Sequence, residues 1–190
     1  MNRLRLPVIL ILSVAIAIVI QGCNKDTVTA TAYTTAAFQA NINGATWAPD
    51  TLSTAITYDP TAQTKTLSCT GTKAQKQVIF SITIPNSTNT NDFPTGIYTV
   101  DNNLVKAQYN TQQLQDGAYV FLPHGTVQPG GGSISITAID PAKNTITGTF
   151  SFYSRTTNYD GSGNVISISV DNITGGEFTA TPYIFGTNAL

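Results

Sequence analysis

Charge is scarce in this chain. Nine Lys and Arg and ten Asp and Glu amount to 10% of its 190 residues, against about 25% in ordinary soluble domains. No basic block occurs, so a nucleic-acid partner finds no electrostatic footprint. Histidine occurs once, at His124. A lone imidazole builds no His-rich metal site, and it serves as a base only beside a nucleophile supplied by the fold. Pro123 and Gly125 place it on a turn, as an exposed loop histidine. Cysteine occurs only at Cys23 and Cys69, too few for a disulfide framework. Long apolar runs are missing too. The run Val8–Ile20 is interrupted by Ser13 and falls short of the about 18–20 residues that span a bilayer. Outside it no window keeps apolar residues at a 3.6-residue period, so helices are not expected.

What the N-terminus does carry is directional. Arg3 and Arg5 form a basic flank, the apolar run follows, and Ile20-Gln21-Gly22-Cys23 comes directly after it. A short basic region before a short apolar one is the pattern of a secretory signal. The last four residues resemble a bacterial lipobox. That resemblance implies a signal peptide over residues 1–22, with Ile20 and Gly22 read by the signal peptidase. Cys23 then becomes the lipidated N-terminus. A thiol is the side chain nucleophilic enough for that thioether near neutral pH, and each acyl CH₂ buried in the membrane contributes about 0.8 kcal/mol. Residues 23–35 are short, polar and Thr-rich, and read as a tether. Within them Val28–Tyr33 alternates and offers itself as a first strand instead. With Cys23 acylated, Cys69 is the remaining thiol, in a strand, as a small buried apolar residue.

The rest, residues 36–190, has one texture. Short alternating segments rich in Thr, Ile, Val, Tyr and Phe are punctuated by Gly, Asn, Asp and Pro. Phe38, Ala40 and Ile42 alternate up to Asn43-Gly44, a strong hairpin signal, and Thr46-Trp47 begins the return. Leu52, Thr54, Ile56 and Tyr58 alternate up to Asp59-Pro60. Thr64–Thr70 and Gln77–Ile84 are the next strands, and Pro85–Gly96 is the longest loop. Ile97–Val100, Leu104–Asn110 and Ala118–Leu122 follow, with a polar loop over Gln112–Gly117 and a flexible joint at Gly130–Gly132. Ser133–Ile139 pairs with Thr145–Ser154, which pairs on with Val165–Val170, and Glu177–Tyr183 closes the domain. About ten short strands with regular turns predict one all-β domain, an antiparallel β-sandwich or barrel.

Few residues point to chemistry. Most carboxylates sit in turns, as in Asp59-Pro60, Asp116-Gly117, Asp140-Pro141 and Asp160-Gly161, where Asp bonds its own backbone. Asp171 and Glu177 are the least turn-like pair for a two-carboxylate hydrolase. Asp160, Ser162 and Asn164 space oxygens like the first half of a calcium loop, but no acidic residue closes it. No metal, cofactor or catalytic residue is therefore assigned, and the chain is not expected to be an enzyme. Trp47, Tyr98, Tyr109 and Tyr119, with Tyr153 and Tyr159, are candidates for an exposed platform on which sugar rings stack.

Three runs carry a wider likeness: Phe38–Asp50 with its Phe-x-Ala-x-Ile-Asn-Gly opening, Gly132–Asp140, and Ile146–Phe152 followed by Gly175-Gly176-Glu177-Phe178. Together they resemble a family of β-rich lipoproteins of Bacteroidota, a domain of unknown function. The resemblance implies an outer-membrane, lipid-anchored location in the cell envelope and supplies no catalytic residues. Lys25-Asp26 partly resembles the signal for export to the cell surface, so either the periplasmic side or the surface is open. The functional expectations are a non-catalytic binding or structural module for glycan or another envelope component, a lipocalin-like carrier of an apolar ligand, or a hydrolase with an unrecognised site.

Overall fold

The computed structural model describes residues 38–187, so the expected signal peptide, Cys23 and the tether lie outside the described residues. Twelve strands and no helix make up this part. They are β1 (Phe38–Ile42), β2 (Ala45–Trp47), β3 (Thr51–Asp59), β4 (Thr64–Lys73), β5 (Lys76–Pro85) and β6 (Gly96–Thr99). After these come β7 (Val105–Gln115), β8 (Ala118–Pro123), β9 (Gly132–Asp140), β10 (Thr145–Tyr159), β11 (Val165–Pro182) and β12 (Ile184–Thr187). They form two six-stranded sheets that do not close on each other, ordered β2-β1-β11-β10-β9-β6 and β12-β3-β4-β5-β7-β8. The architecture is a sandwich.

Alternation drives it. On β3, Leu52, Thr54, Ile56 and Tyr58 all turn inward, and on β5 Val78, Phe80 and Ile82 do the same. The first sheet answers with Phe38, Ile134, Ile136, Phe150, Ile173 and Phe178. Four phenyl rings meet at the centre: Phe38, Phe80, Phe150 and Phe178, with centroids 5.1 to 6.4 Å apart. Each such ring contributes about 1.5–3 kcal/mol by leaving water. The turns follow their local chemistry. Asn43 and Gly44 take φ values of 54° and 80°, as a two-residue hairpin turn requires.

Four expectations need correction. The polar run Gln112–Gln115 is strand, not loop: β7 continues to Gln115, and the turn is only Asp116-Gly117, with φ 52° and 81°. Its glutamines are tolerated because this part of the β7–β8 hairpin is largely exposed, Leu114 included. Val165–Val170 and the segment from Glu177 to Pro182 are not two strands but parts of the 18-residue β11, which β1 and β10 hold as one strand across a bulge at Gly175-Gly176. The sheets are not wholly antiparallel, since β12 crosses from the end of β11 to the other sheet and runs parallel to β3. Gly130–Gly132 is no flexible joint. Gly130 N–H donates to Val100 O at 2.7 Å, Val100 N–H to Gly132 O at 3.0 Å, and Tyr153 N–H to Gly131 O at 2.9 Å.

Candidate functional site

The four leading stacking candidates do not form a platform. Trp47 is 6% exposed and Tyr109 3%. The Trp47 ring stands edge-on to Phe38, centroids 6.2 Å apart, and rests against Gly71. Tyr109 falls on the inward parity of β7 behind Val105 and Ala107. Burial pushes its phenol pKa up, and the nearby Asp171 carboxylate adds to this. Tyr98 is half-buried on β6, with its hydroxyl donating to Pro94 O at 2.8 Å. Tyr119 alone is well exposed, at 68%, on β8 of the other sheet. Strand parity and sheet membership, not residue type, separate them.

An aromatic with polar company sits elsewhere. On the outer face of the first sheet, Thr99, Ser133, Ser151, Tyr153, Asn172 and Thr174 surround a depression of about 430 Å³ floored by Gly130–Gly132. That is within the size range of small-ligand sites. The floor is glycine for a reason: a Cβ on Gly131 would come within 2.7 Å of Gln128 O and 3.3 Å of the Tyr153 ring. Gly131 thus lets the chain lie flat beside the half-exposed ring. The lining offers hydroxyls, one amide and one aromatic face, and no carboxylate, amine or imidazole.

His124 is not a solitary loop residue. Its Nε2 lies 3.3 Å from Asp171 Oδ2, an ion pair whenever the ring is protonated. Its Nδ1 is 3.5 Å from Thr111 Oγ1, and its ring stands edge-on to Tyr109. Asn43 Nδ2 donates to the other Asp171 oxygen at 2.7 Å. Ser154 Oγ donates to the His124 carbonyl at 2.5 Å. The Thr111 hydroxyl is beyond the about 2.6–3.2 Å from which a base takes a proton. What the cluster does is tie β7 and β8 of one sheet to β11 of the other. Nothing in the sequence announces this pairing, because residues far apart in the chain meet only in the fold.

The other candidates resolve into structural roles. Asp171 and Glu177 do not face each other: Asp171 is engaged with His124 and Asn43, while Glu177 accepts from Gln39 Nε2 at 3.2 Å. Asp160 closes its own turn, accepting from the Ser162 and Asn164 amides at 2.8 Å each, which holds its carboxyl below the usual range. Among the described residues no group of three or more His, Cys, Asp or Glu is placed to hold a metal. Cys69 is buried, and burial pushes its thiol up to about 12.

One residue escaped the sequence reading altogether. Lys65, on β4, has no exposed side-chain surface. Its Nζ donates to Asp92 Oδ1 at 2.6 Å, Asp92 O at 2.9 Å and Thr90 Oγ1 at 3.1 Å, satisfying all three protons. It pins the long loop 86–95 across one end of the sandwich. There Tyr183 Oη donates to Asn91 O at 2.6 Å, and Asn91 Nδ2 donates to Pro141 O at 2.7 Å.

No curated protein and no solved structure matches this chain. A family model does, across almost the whole of the sandwich. Through residues 34–182 the chain belongs to the family described as a domain of unknown function, DUF6252.

Proposed function

We propose that this is a lipid-anchored protein of the bacterial envelope whose sandwich is a non-catalytic binding module for glycan. The observation that carries the binding part is the uncharged depression beside Tyr153, with hydroxyl and amide groups around one exposed aromatic face. Sugars are recognised by that combination: apolar ring faces stack while neutral donors and acceptors take the hydroxyls. The anchoring part rests on Arg3, Arg5, the apolar run and Ile20-Gln21-Gly22-Cys23. The same stretch and the family likeness support attachment to the outer membrane of a Bacteroidota cell, and the partial match of Lys25-Asp26 to an export signal supports display on the surface rather than the periplasmic side. The lipocalin-like alternative draws no support from an interior filled by phenyl rings.

Two experiments test the parts separately. Glycan-array binding of the full chain should be lost in Tyr153→Ala and kept in Tyr119→Ala; retention in Tyr153→Ala rejects the depression as the site. Globomycin treatment or Cys23→Ala should release the protein from membranes, and a variant that still fractionates with them defeats the lipid anchor.

A further inference from the structure

The hairpin of β10 and β11 outruns the rest of its sheet. The β9 ladder on β10 stops at Phe152↔Gly132, and the β1 ladder on β11 stops at Ile42↔Ile173. Beyond them Arg155–Tyr159 and Val165–Val170 continue as a two-stranded arm, held at its root by the bridge between Thr126 and Arg155 and by Gly125 packed against Arg155 and Thr156. Asn43 covers the β11 edge at its root, donating to Asn172 O and accepting from Asn172 N–H. From Val170 outward no described strand lies along that edge. Alternate backbone N–H and C=O groups of Ile166–Val170 therefore point into open space, the arrangement that invites another strand.

The segment itself is unguarded. Val165-Ile166-Ser167-Ile168-Ser169-Val170 contains no charge and no proline, the usual blunting devices. Its one irregularity is a bulge at Ile166, where the ladder shifts from Asn158↔Ser167 to Tyr159↔Val165. Ile168 and Val170 are exposed on one face, with Ser167 and Ser169 on the other, and Val165 and Ile166 are exposed at the bulge. The order reads almost the same in both directions. Laid antiparallel on a copy of itself about a two-fold axis at Ile168, it sets Ile168 against Ile168 and Ile166 against Val170. Ser167 falls opposite Ser169. Within Ile166–Val170 every apolar side chain then meets an apolar one and no like charges meet, while Val165 at the bulge falls opposite Asp171.

We propose that the β11 edge of the arm pairs with the same edge of a second copy of this chain, forming a two-fold dimer through Ile166–Val170. A bilayer is the other sink for apolar residues. It fits less well, because the arm ends in the polar turn Asp160–Asn164 and its open edge would leave amides unsatisfied in hydrocarbon.

Light scattering on the full chain in mild detergent tests this. The wild type should be a dimer that dissociates on dilution. Ile168→Lys should raise the dissociation constant about tenfold or more, while Thr179→Lys, on the same strand far from the arm, should not. In Ile168→Cys, oxidation should join position 168 of the two copies, since antiparallel partners bring Cα atoms within the span of a disulfide. Continued protection of Cys69 shows that each variant is folded. A wild type that is monomeric at all concentrations overturns the proposal. So does a dimer indifferent to Ile168→Lys, or a monomer that binds phosphatidylcholine vesicles through the arm.

Discussion

Gly148 faces Phe178 across β10 and β11, and Phe150 faces Gly176 two residues further on. A Cβ on Gly148 would run into the Phe178 ring and the Ser135 carbonyl; one on Gly176 would come within 2.6 Å of the Phe150 ring. Each glycine is thus the seat of the ring opposite, and each ring covers a glycine that would otherwise weaken its strand. Gly148→Ala should destabilise the fold by about 1–3 kcal/mol through overpacking, although alanine restricts the unfolded chain more. Urea unfolding measures this, and an unchanged midpoint would remove the rings from that role. The motif Gly-Thr-Phe was visible in the sequence next to Gly-Glu-Phe. That the two copies run against each other, so that each glycine finds the other's phenylalanine, was not, because the pairing is set by register.

At the scale of elements, the loop between β5 and β6 is held by charge as well as by packing, with Asp92 paired to Lys65 and the next residue, Phe93, buried in the core. Asp92→Ala would leave the buried Lys65 ammonium with only neutral partners, and because the Asp92 side chain is itself 59% exposed the cost should be about 1–3 kcal/mol. A thermal melt should show it, and a drop no larger than that of an exposed control such as Asp116→Ala would mean that the neutral partners suffice. The pH dependence has a definite sign. Lys65 first, then Thr90, hold the Asp92 carboxyl below its ordinary 3.8. A lowered folded-state value means stability present above the unfolded pKa and lost as pH falls through the folded one. The wild type should therefore lose melting temperature below about pH 4, and Asp92→Ala should lose less over the same interval. Alternation made most elements legible, and Cys69 is buried in its strand as expected. The same alternation put Lys65 in the core, where residue type argued against it. Only the loop, folding back from the far end of β5, supplies its acceptors. The extent of β7 and the unbroken β11 were hidden for a related reason: polar or glycine residues there keep strand geometry because neighbours already hold the ladder.

Among the described residues one hydrophobic core is shared by both sheets, and two native probes report on it from opposite sides. Cys69 belongs to the β3–β4–β5 sheet, and Trp47, the only tryptophan, to the other. With its thiol buried and pushed up to about 12, Cys69 should not react with Ellman's reagent at pH 8 in the native state. In rising denaturant its reactivity should appear at the same midpoint as the change in Trp47 fluorescence, as one cooperative unit requires. Thiol exposure ahead of the fluorescence change would mean that the sandwich does not unfold as one cooperative unit. The same first sheet sets a timetable. Gln39 bonds Glu177 across 138 positions, and β1 has β11 as its neighbour on one side and the three-residue β2 on the other. Among the described residues, the earliest strand cannot dock until nearly the last has been synthesised. Such non-local closure folds slowly. On the export route proposed above that delay is useful: the chain reaches the translocation channel still unable to complete its own sheet, and so remains threadable until it has crossed.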